Sequence, residues 1–174
     1  MAVSNTTPII YLVKIEKLEI LRGVYNLIYV CSPVWQDISY LQTRGLLTPD
    51  EVFSIAKARH EKWMVLKDPE EKESIDLRDI LIGKGLGLGE AHSIALAKEL
   101  KTIFLANDKQ AIEAAGEHRI ETRWFTEILH DALKGNYIKS VDEYIQILGS
   151  CINQGLYVSK RQKEKAIEKA RTIQ

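Results

Sequence analysis

Thr102-Ile103-Phe104-Leu105-Ala106-Asn107-Asp108 passes without a break from an apolar, β-forming run into a polar pair. A short run of this kind bounded by polar residues is a buried strand, here residues 102–106. Asp108 then opens a helix to about residue 115, where a carboxylate meets the unpaired N–H groups of a first turn. Upstream, residues 89–100 form a helix; downstream, a short strand at 119–122 precedes a helix at 124–133. Closer to the N-terminus, strand 63–67 is followed by helix 70–82, and Thr48-Pro49-Asp50-Glu51 starts a helix to about residue 59 with Thr and Glu at capping-box spacing. Ser32-Pro33 opens a helix to about residue 41 after strand 27–31. Ala2-Val3 begins the first strand, which ends at Asn5, with Thr7 expected to cap a helix whose first turn takes Pro8. Strand and helix alternate throughout. That alternation specifies a parallel sheet with helices on both faces and right-handed crossovers.

The chain has 174 residues, 45% of them hydrophobic, enough to bury one substantial core. The N-terminus lacks a basic region followed by an apolar run, and no stretch approaches the roughly 20 apolar residues of a membrane span. Cys31 and Cys151 lie far apart and suggest neither a zinc site nor a disulfide framework, so a reducing cytoplasm is the expected location. The formal charge is zero, against bulk electrostatic capture of nucleic acid. Its distribution is uneven, because residues 160–171 carry six basic side chains against Glu164 and Glu168, a local +4. That tail reads first as a solvated amphipathic helix. The final forty residues are helical in character, with Gly135-Asn136, Gly149 and Gln154-Gly155 as breaks. The expected organisation is an α/β domain over residues 1–134 and a helical extension over 135–174.

In open α/β sheets ligands gather at the carboxyl ends of the strands, which directs attention to Asn5 and Asp108. Taken alone, Asp108 reads as a helix cap. Glu90, in the first turn of its helix, would alone be a surface acid favoured by the helix dipole. Two features raise it: the apolar Ile94-Ala95-Leu96-Ala97 of the same helix, and the alternating Gly83, Gly85, Gly87 and Gly89 before it. Such a loop permits close approach of a ligand to the backbone.

Other chemistries fit poorly. Gly83-Lys84 has Arg78 where a phosphate-binding loop needs its first glycine, and the alternation never yields Gly-x-Gly-x-x-Gly. His60, His92, His118 and His130 show no metal-ligand spacing and read as surface residues. No Gly-x-Ser-x-Gly supports acyl transfer.

Three segments become recognisable together: Val3-Ser4-Asn5-Thr6-Thr7-Pro8, then Gly87-Leu88-Gly89-Glu90-Ala91, then Leu105-Ala106-Asn107-Asp108. Their order resembles the PIN-domain family, in particular a prokaryotic subgroup related to toxin ribonucleases of toxin–antitoxin pairs. Gly135-Asn136-Tyr137-Ile138 and Gly155-Leu156-Tyr157-Val158-Ser159 resemble that subgroup's C-terminal extension. The likeness implies a three-layer α/β/α fold with a central parallel sheet, and a metal-dependent ribonuclease whose clustered carboxylates hold Mg²⁺ or Mn²⁺. Carried over by position, Asp37, Glu90 and Asp108 resemble the second, third and fourth acids as metal ligands and catalytic residues. Asn5 replaces the first acid, and Thr6 resembles the hydroxyl beside it. RNA as substrate, a small antitoxin protein as partner and a homodimer are implied with it; the apolar 141–148 segment adds a faint sequence signal for the dimer.

Hard divalent cations prefer oxygen ligands, and clustered carboxylates repel one another unless a cation neutralises them. Asn5 keeps a carbonyl oxygen but removes a full charge, so the remaining acids offer at most −3. Two readings therefore stand beside each other: a working metal-dependent ribonuclease, and a degenerate PIN-like module that binds RNA or protein without cutting. A flavodoxin-like signalling or nucleotide-binding domain is a third, disfavoured because strand one ends in Asn5 rather than in an acidic cluster.

Overall fold

The computed structural model describes residues 1–173. Five short strands build one parallel sheet: β1 (Ala2–Ser4), β2 (Ile28–Val30), β3 (Met64–Leu66), β4 (Ile103–Ala106) and β5 (Thr122–Trp124). They lie in the order β3-β2-β1-β4-β5, every neighbouring pair parallel. The chain lays down the central strand first, moves to one edge, then returns to the other side of β1. The direction therefore reverses between β1 and β4, and a crevice opens there beyond the strand ends.

Among the described residues ten helices clothe the sheet: α1 (Thr6–Lys14), α2 (Glu19–Tyr25), α3 (Ser32–Thr43), α4 (Pro49–His60), α5 (Lys72–Gly83), α6 (Leu88–Glu99), α7 (Lys109–Glu117), α8 (Phe125–Lys134), α9 (Val141–Asn153) and α10 (Lys160–Ile173). Successive strand residues point to opposite faces, so each strand feeds two cores. Ala2, Ile28, Val30 and Leu105 pack with Ile9, Leu12, Phe125, Leu129 and Leu148 on one face. Val3, Phe104 and Ala106 pack with Leu81, Ile94 and Ala115 on the other. The result is the expected three-layer α/β/α arrangement. No helix among the described residues is long and apolar enough to cross a membrane.

Several expectations need correction. Asn5, not Thr7, occupies the cap position of α1, which starts at Thr6 and places Pro8 at its third residue. Gly83 closes α5 and Gly89 lies inside α6, so the alternating glycines do not form one loop. Gly149 falls inside α9. β5 begins later than expected because Arg119 adopts a left-handed conformation, φ 58°, in the turn that leads to it. Helix α2 was not foreseen, and Gly23 in its middle obscures it. That glycine has a packing reason: a Cβ there would stand 2.5 Å from the Tyr137 ring.

α9 and α10 pack onto α8, and Tyr144, Leu148, Cys151, Ala166 and Ala170 join the same core as the sheet residues. Gln174, the last residue of the expected extension, lies outside the described residues. His130 is not on the surface as its sequence context suggested; it is 2% exposed. Its Nε2 lies 2.8 Å from the Ala166 carbonyl, which only an N–H donor fits, and 3.0 Å from the Tyr144 hydroxyl. The two rings stack 5.1 Å apart. Burial lowers the pKa of His130, which therefore stays neutral and serves as a latch between α8 and α10.

Candidate functional site

Asn5 is placed by the sheet itself. Its N–H donates to the Leu105 carbonyl at 3.1 Å, continuing the pairing of β1 with β4 by one residue. The Ser4 hydroxyl donates to the Asn5 carbonyl at 2.9 Å. With its main chain held on both sides, the side chain is 6% exposed and its Oδ1 has no hydrogen-bond partner among the described residues. A buried acceptor without a donor is costly in a folded protein and marks a place where a cation or water is wanted.

The next residue, Thr6, donates its Oγ1 hydrogen to Asp37 Oδ2 at 3.0 Å and so ties the start of α1 to the second turn of α3. Gly89 brings α6 up to the same place. A Cβ on it would stand 3.2 Å from Val34 Cγ2 and 3.5 Å from Asp37 Oδ2. The glycine therefore permits close contact between helices α3 and α6 beside Asp37. Glu90 follows in the first turn of α6, and its Oε2 accepts from the Gly87 N–H at 3.2 Å. Asp108 caps α7, with Oδ1 accepting from the Ala111 N–H at 2.9 Å. The helix-cap reading of Asp108 is thus correct for one of its oxygens.

Each of the three acids engages one carboxylate oxygen with the protein, and no described residue hydrogen-bonds to the other oxygen. They also feel one another. Burial first, then the neighbouring Asp108, and more weakly Asp37, push the Glu90 carboxyl above the usual range, against the lowering effect of the Gly87 N–H. Repulsion of this kind is what a divalent cation relieves. The orphaned Asn5 oxygen and the raised Glu90 fit such an ion. The fit is incomplete, because no group of three or more His, Cys, Asp or Glu side chains among the described residues could grip a metal as it stands.

The raised Glu90 has a signed consequence for stability. A carboxyl whose folded pKa exceeds its unfolded value near ~4.3 stabilises the fold below that value and loses this contribution as pH rises through the folded pKa. Glu90→Gln lacks that loss. In chelator at neutral pH it is expected to unfold at or above the urea midpoint of the parent, and the gap is expected to close toward acid. A variant less stable than the parent at neutral pH would contradict the electrostatic account.

Asp68 went unnoticed in the sequence, although it lies two residues beyond β3 at the same carboxyl edge. Its Oδ1 accepts from the Ser32 N–H at 2.9 Å and its Oδ2 accepts from the Ser32 hydroxyl, so it caps α3 from a distance. His92 Nδ1 lies 3.7 Å from it, with the ring pKa lowered by burial and by Arg78. Burial, helped by Asp68, pushes the Cys31 thiol up to about 12, which leaves it unreactive. This group secures the start of α3 and thereby the placement of Asp37.

A parallel sheet of this strand order, with carboxylates near the crevice beside its central strand, defines an open, doubly wound α/β fold. The comparison with known families places it further. A family model described as a PIN domain matches residues 1–172, and the chain belongs to the PIN-domain family. A search of curated proteins finds no significant match.

Proposed function

We propose that this PIN domain is a divalent-metal-dependent endoribonuclease acting at the crevice beyond β1 and β4. The observation that carries this reading is Glu90: its carboxyl is raised first by burial and then by Asp108 and Asp37, so acids from the starts of α6 and α7 and from α3 lie within electrostatic reach of it at the edge where ligands bind. Asp37, Glu90 and Asp108 would hold Mg²⁺ or Mn²⁺ through their free oxygens, with Asn5 Oδ1 as a neutral fourth ligand. When bound, such an ion lowers the pKa of a water and stabilises charge on a phosphoryl group. The chain's own part is positional. Thr6 orients Asp37, the Gly87 N–H orients Glu90, and the first turn of α7 orients Asp108.

A second reading has specific support. Asn5 removes one charge, and the acids do not form a closed ligand group. On this reading the domain binds RNA or protein without cutting. Incubation of unstructured RNA with the purified protein over a range of Mn²⁺ and Mg²⁺ separates the two. Metal-dependent cleavage that disappears in Glu90→Gln is expected of the nuclease. Cleavage only by Asn5→Asp would establish the non-cutting reading, and cleavage undiminished in Glu90→Gln would remove the site from consideration.

A toxin-like role, with a small antitoxin protein as inhibitor and a homodimeric, cytoplasmic protein, extends the proposal on the strength of the family resemblance. The apolar face of α9 does not supply the dimer contact, because Tyr144, Ile147 and Leu148 are buried within the chain. Light scattering that shows a monomer would remove the dimer.

A further inference from the structure

Asp108 belongs to a second feature besides the acidic crevice. It lines a groove of about 820 Å³ whose other walls include Trp124 at the end of β5, Tyr157 in the connection from α9 to α10, and Lys165 and Lys169 of α10. The C-terminal extension is therefore not only packed behind the sheet; it reaches round to the candidate catalytic edge.

Its position there is built. Asn107, the residue before Asp108, donates from Nδ2 to the Tyr157 carbonyl at 3.1 Å. Ser159 and Gln162 bond reciprocally, the Ser159 N–H to Gln162 Oε1 at 2.9 Å and the Gln162 N–H to Ser159 Oγ at 3.2 Å, which fixes the start of α10. The main chain of Tyr157 is thus held beside the strand end while its side chain is left out, the residue being 80% exposed. Trp124 stands on the same groove, half-buried, and its own backbone N–H is held by Glu127 at 3.0 Å. The main chain under both aromatic residues is thus fixed, which keeps two rings at the groove.

The charges lining the groove balance overall, Lys109, Lys165 and Lys169 against Asp108, Glu113 and Glu127, and their pairing leaves one lysine to itself. Lys109 pairs with Glu113 at 3.5 Å and Lys169 with Glu127 at 3.9 Å. Lys165 has no ion pair among the described residues and is exposed on the groove, on a helix that carries a local +4. Aromatic faces beside Lys165, a cation in no ion pair among the described residues, on a groove that ends at Asp108, match the chemistry of single-stranded nucleic acid. A duplex buries its base faces and gains nothing from such walls.

We propose that the groove between Trp124 and α10 is the subsite that holds single-stranded RNA against Asp108, with Tyr157 stacking a base and Lys165 meeting a phosphate. The inference rests on RNA as the ligand of this domain, but not on cleavage. It makes the extension part of substrate recognition and gives the basic helix a role beyond solvation.

Fluorescence anisotropy of a labelled single-stranded RNA with the full chain in chelator, where no cleavage occurs, tests it. Tyr157→Ala and Lys165→Glu are each expected to weaken binding about ten-fold, with Tyr157→Phe binding as the parent. Lys165→Glu is also expected to flatten the dependence of affinity on salt. Both side chains are exposed, so the variants retain the fold, which circular dichroism checks. Absence of RNA binding by the parent, unchanged affinity in both variants, or equal affinity for duplex RNA would each overturn the subsite. The same variants assayed for cleavage in Mn²⁺ keep the two proposals apart: binding that depends on Tyr157 and Lys165 without any cleavage supports the subsite and sinks only the nuclease.

Discussion

Asn5→Asp is expected to destabilise the protein in chelator by up to about 3–5 kcal/mol, the usual cost of an uncompensated buried charge. The position is 6% exposed, and its side-chain oxygen meets no donor. A carboxylate there would add a fourth negative group next to Thr6, which bonds Asp37, at the edge where burial, Asp108 and Asp37 already raise the Glu90 carboxyl. Partial protonation of the new carboxyl would limit the loss, so the cost grows with pH. Divalent ion reverses the sign. An ion that binds only the folded protein stabilises it by about 2.7 kcal/mol at a hundred-fold excess over its dissociation constant, and the added charge tightens that binding. Urea unfolding of parent and variant, in chelator and in Mn²⁺, reads both effects. Equal stability of the two proteins under both conditions would mean that Asn5 does not face the acids.

Asp108→Asn and Glu90→Gln are each expected to lower cleavage of unstructured RNA by about 10²–10³-fold, the loss typical of one preorganised electrostatic contact at a reacting centre. The first substitution is informative because of the helix. Asp108 caps α7 through Oδ1 at 2.9 Å from the Ala111 N–H, and Asn caps as well as Asp. A purely structural Asp108 would therefore tolerate Asn with little change in either stability or rate. Glu90→Gln likewise keeps an oxygen for the Gly87 N–H at 3.2 Å while removing the charge. A sharp loss of rate without a fall in the urea midpoint assigns both residues to chemistry. Retained rate in Asp108→Asn would return that residue to the role of a cap.

How much of this was legible before the structure depends on the kind of signal. Strand β4 and the Thr48 helix start were readable because their causes are local: an unbroken apolar run, and a Thr and Glu that bond reciprocally with each other's backbone. Asn5 and Asp108 were readable because strand ends in parallel sheets are where ligands gather. Glu90 was raised by the apolar Ile94-Ala95-Leu96-Ala97 of its helix and the glycines before it, and only the family likeness gave it a role. The glycines misled, because their alternation looks like a loop while Gly89 and Gly23 are set by neighbours distant in sequence, Val34 and Tyr137. His130 was misread as a surface residue and Asp68 passed over for the same reason: Ala166, Tyr144 and Ser32, which give them meaning, meet them only in the fold. The groove at Tyr157 joins β4, β5 and α10, and no local pattern announces it.

The claim beneath the nuclease reading of this site is that Asp37, Glu90, Asp108 and Asn5 converge on a single divalent cation. Calorimetric titration of Mn²⁺ into the metal-free protein tests that most directly. One ion per chain is expected, bound more weakly by Glu90→Gln and more tightly by Asn5→Asp. No binding by the parent, or the same affinity in all three proteins, would contradict the site.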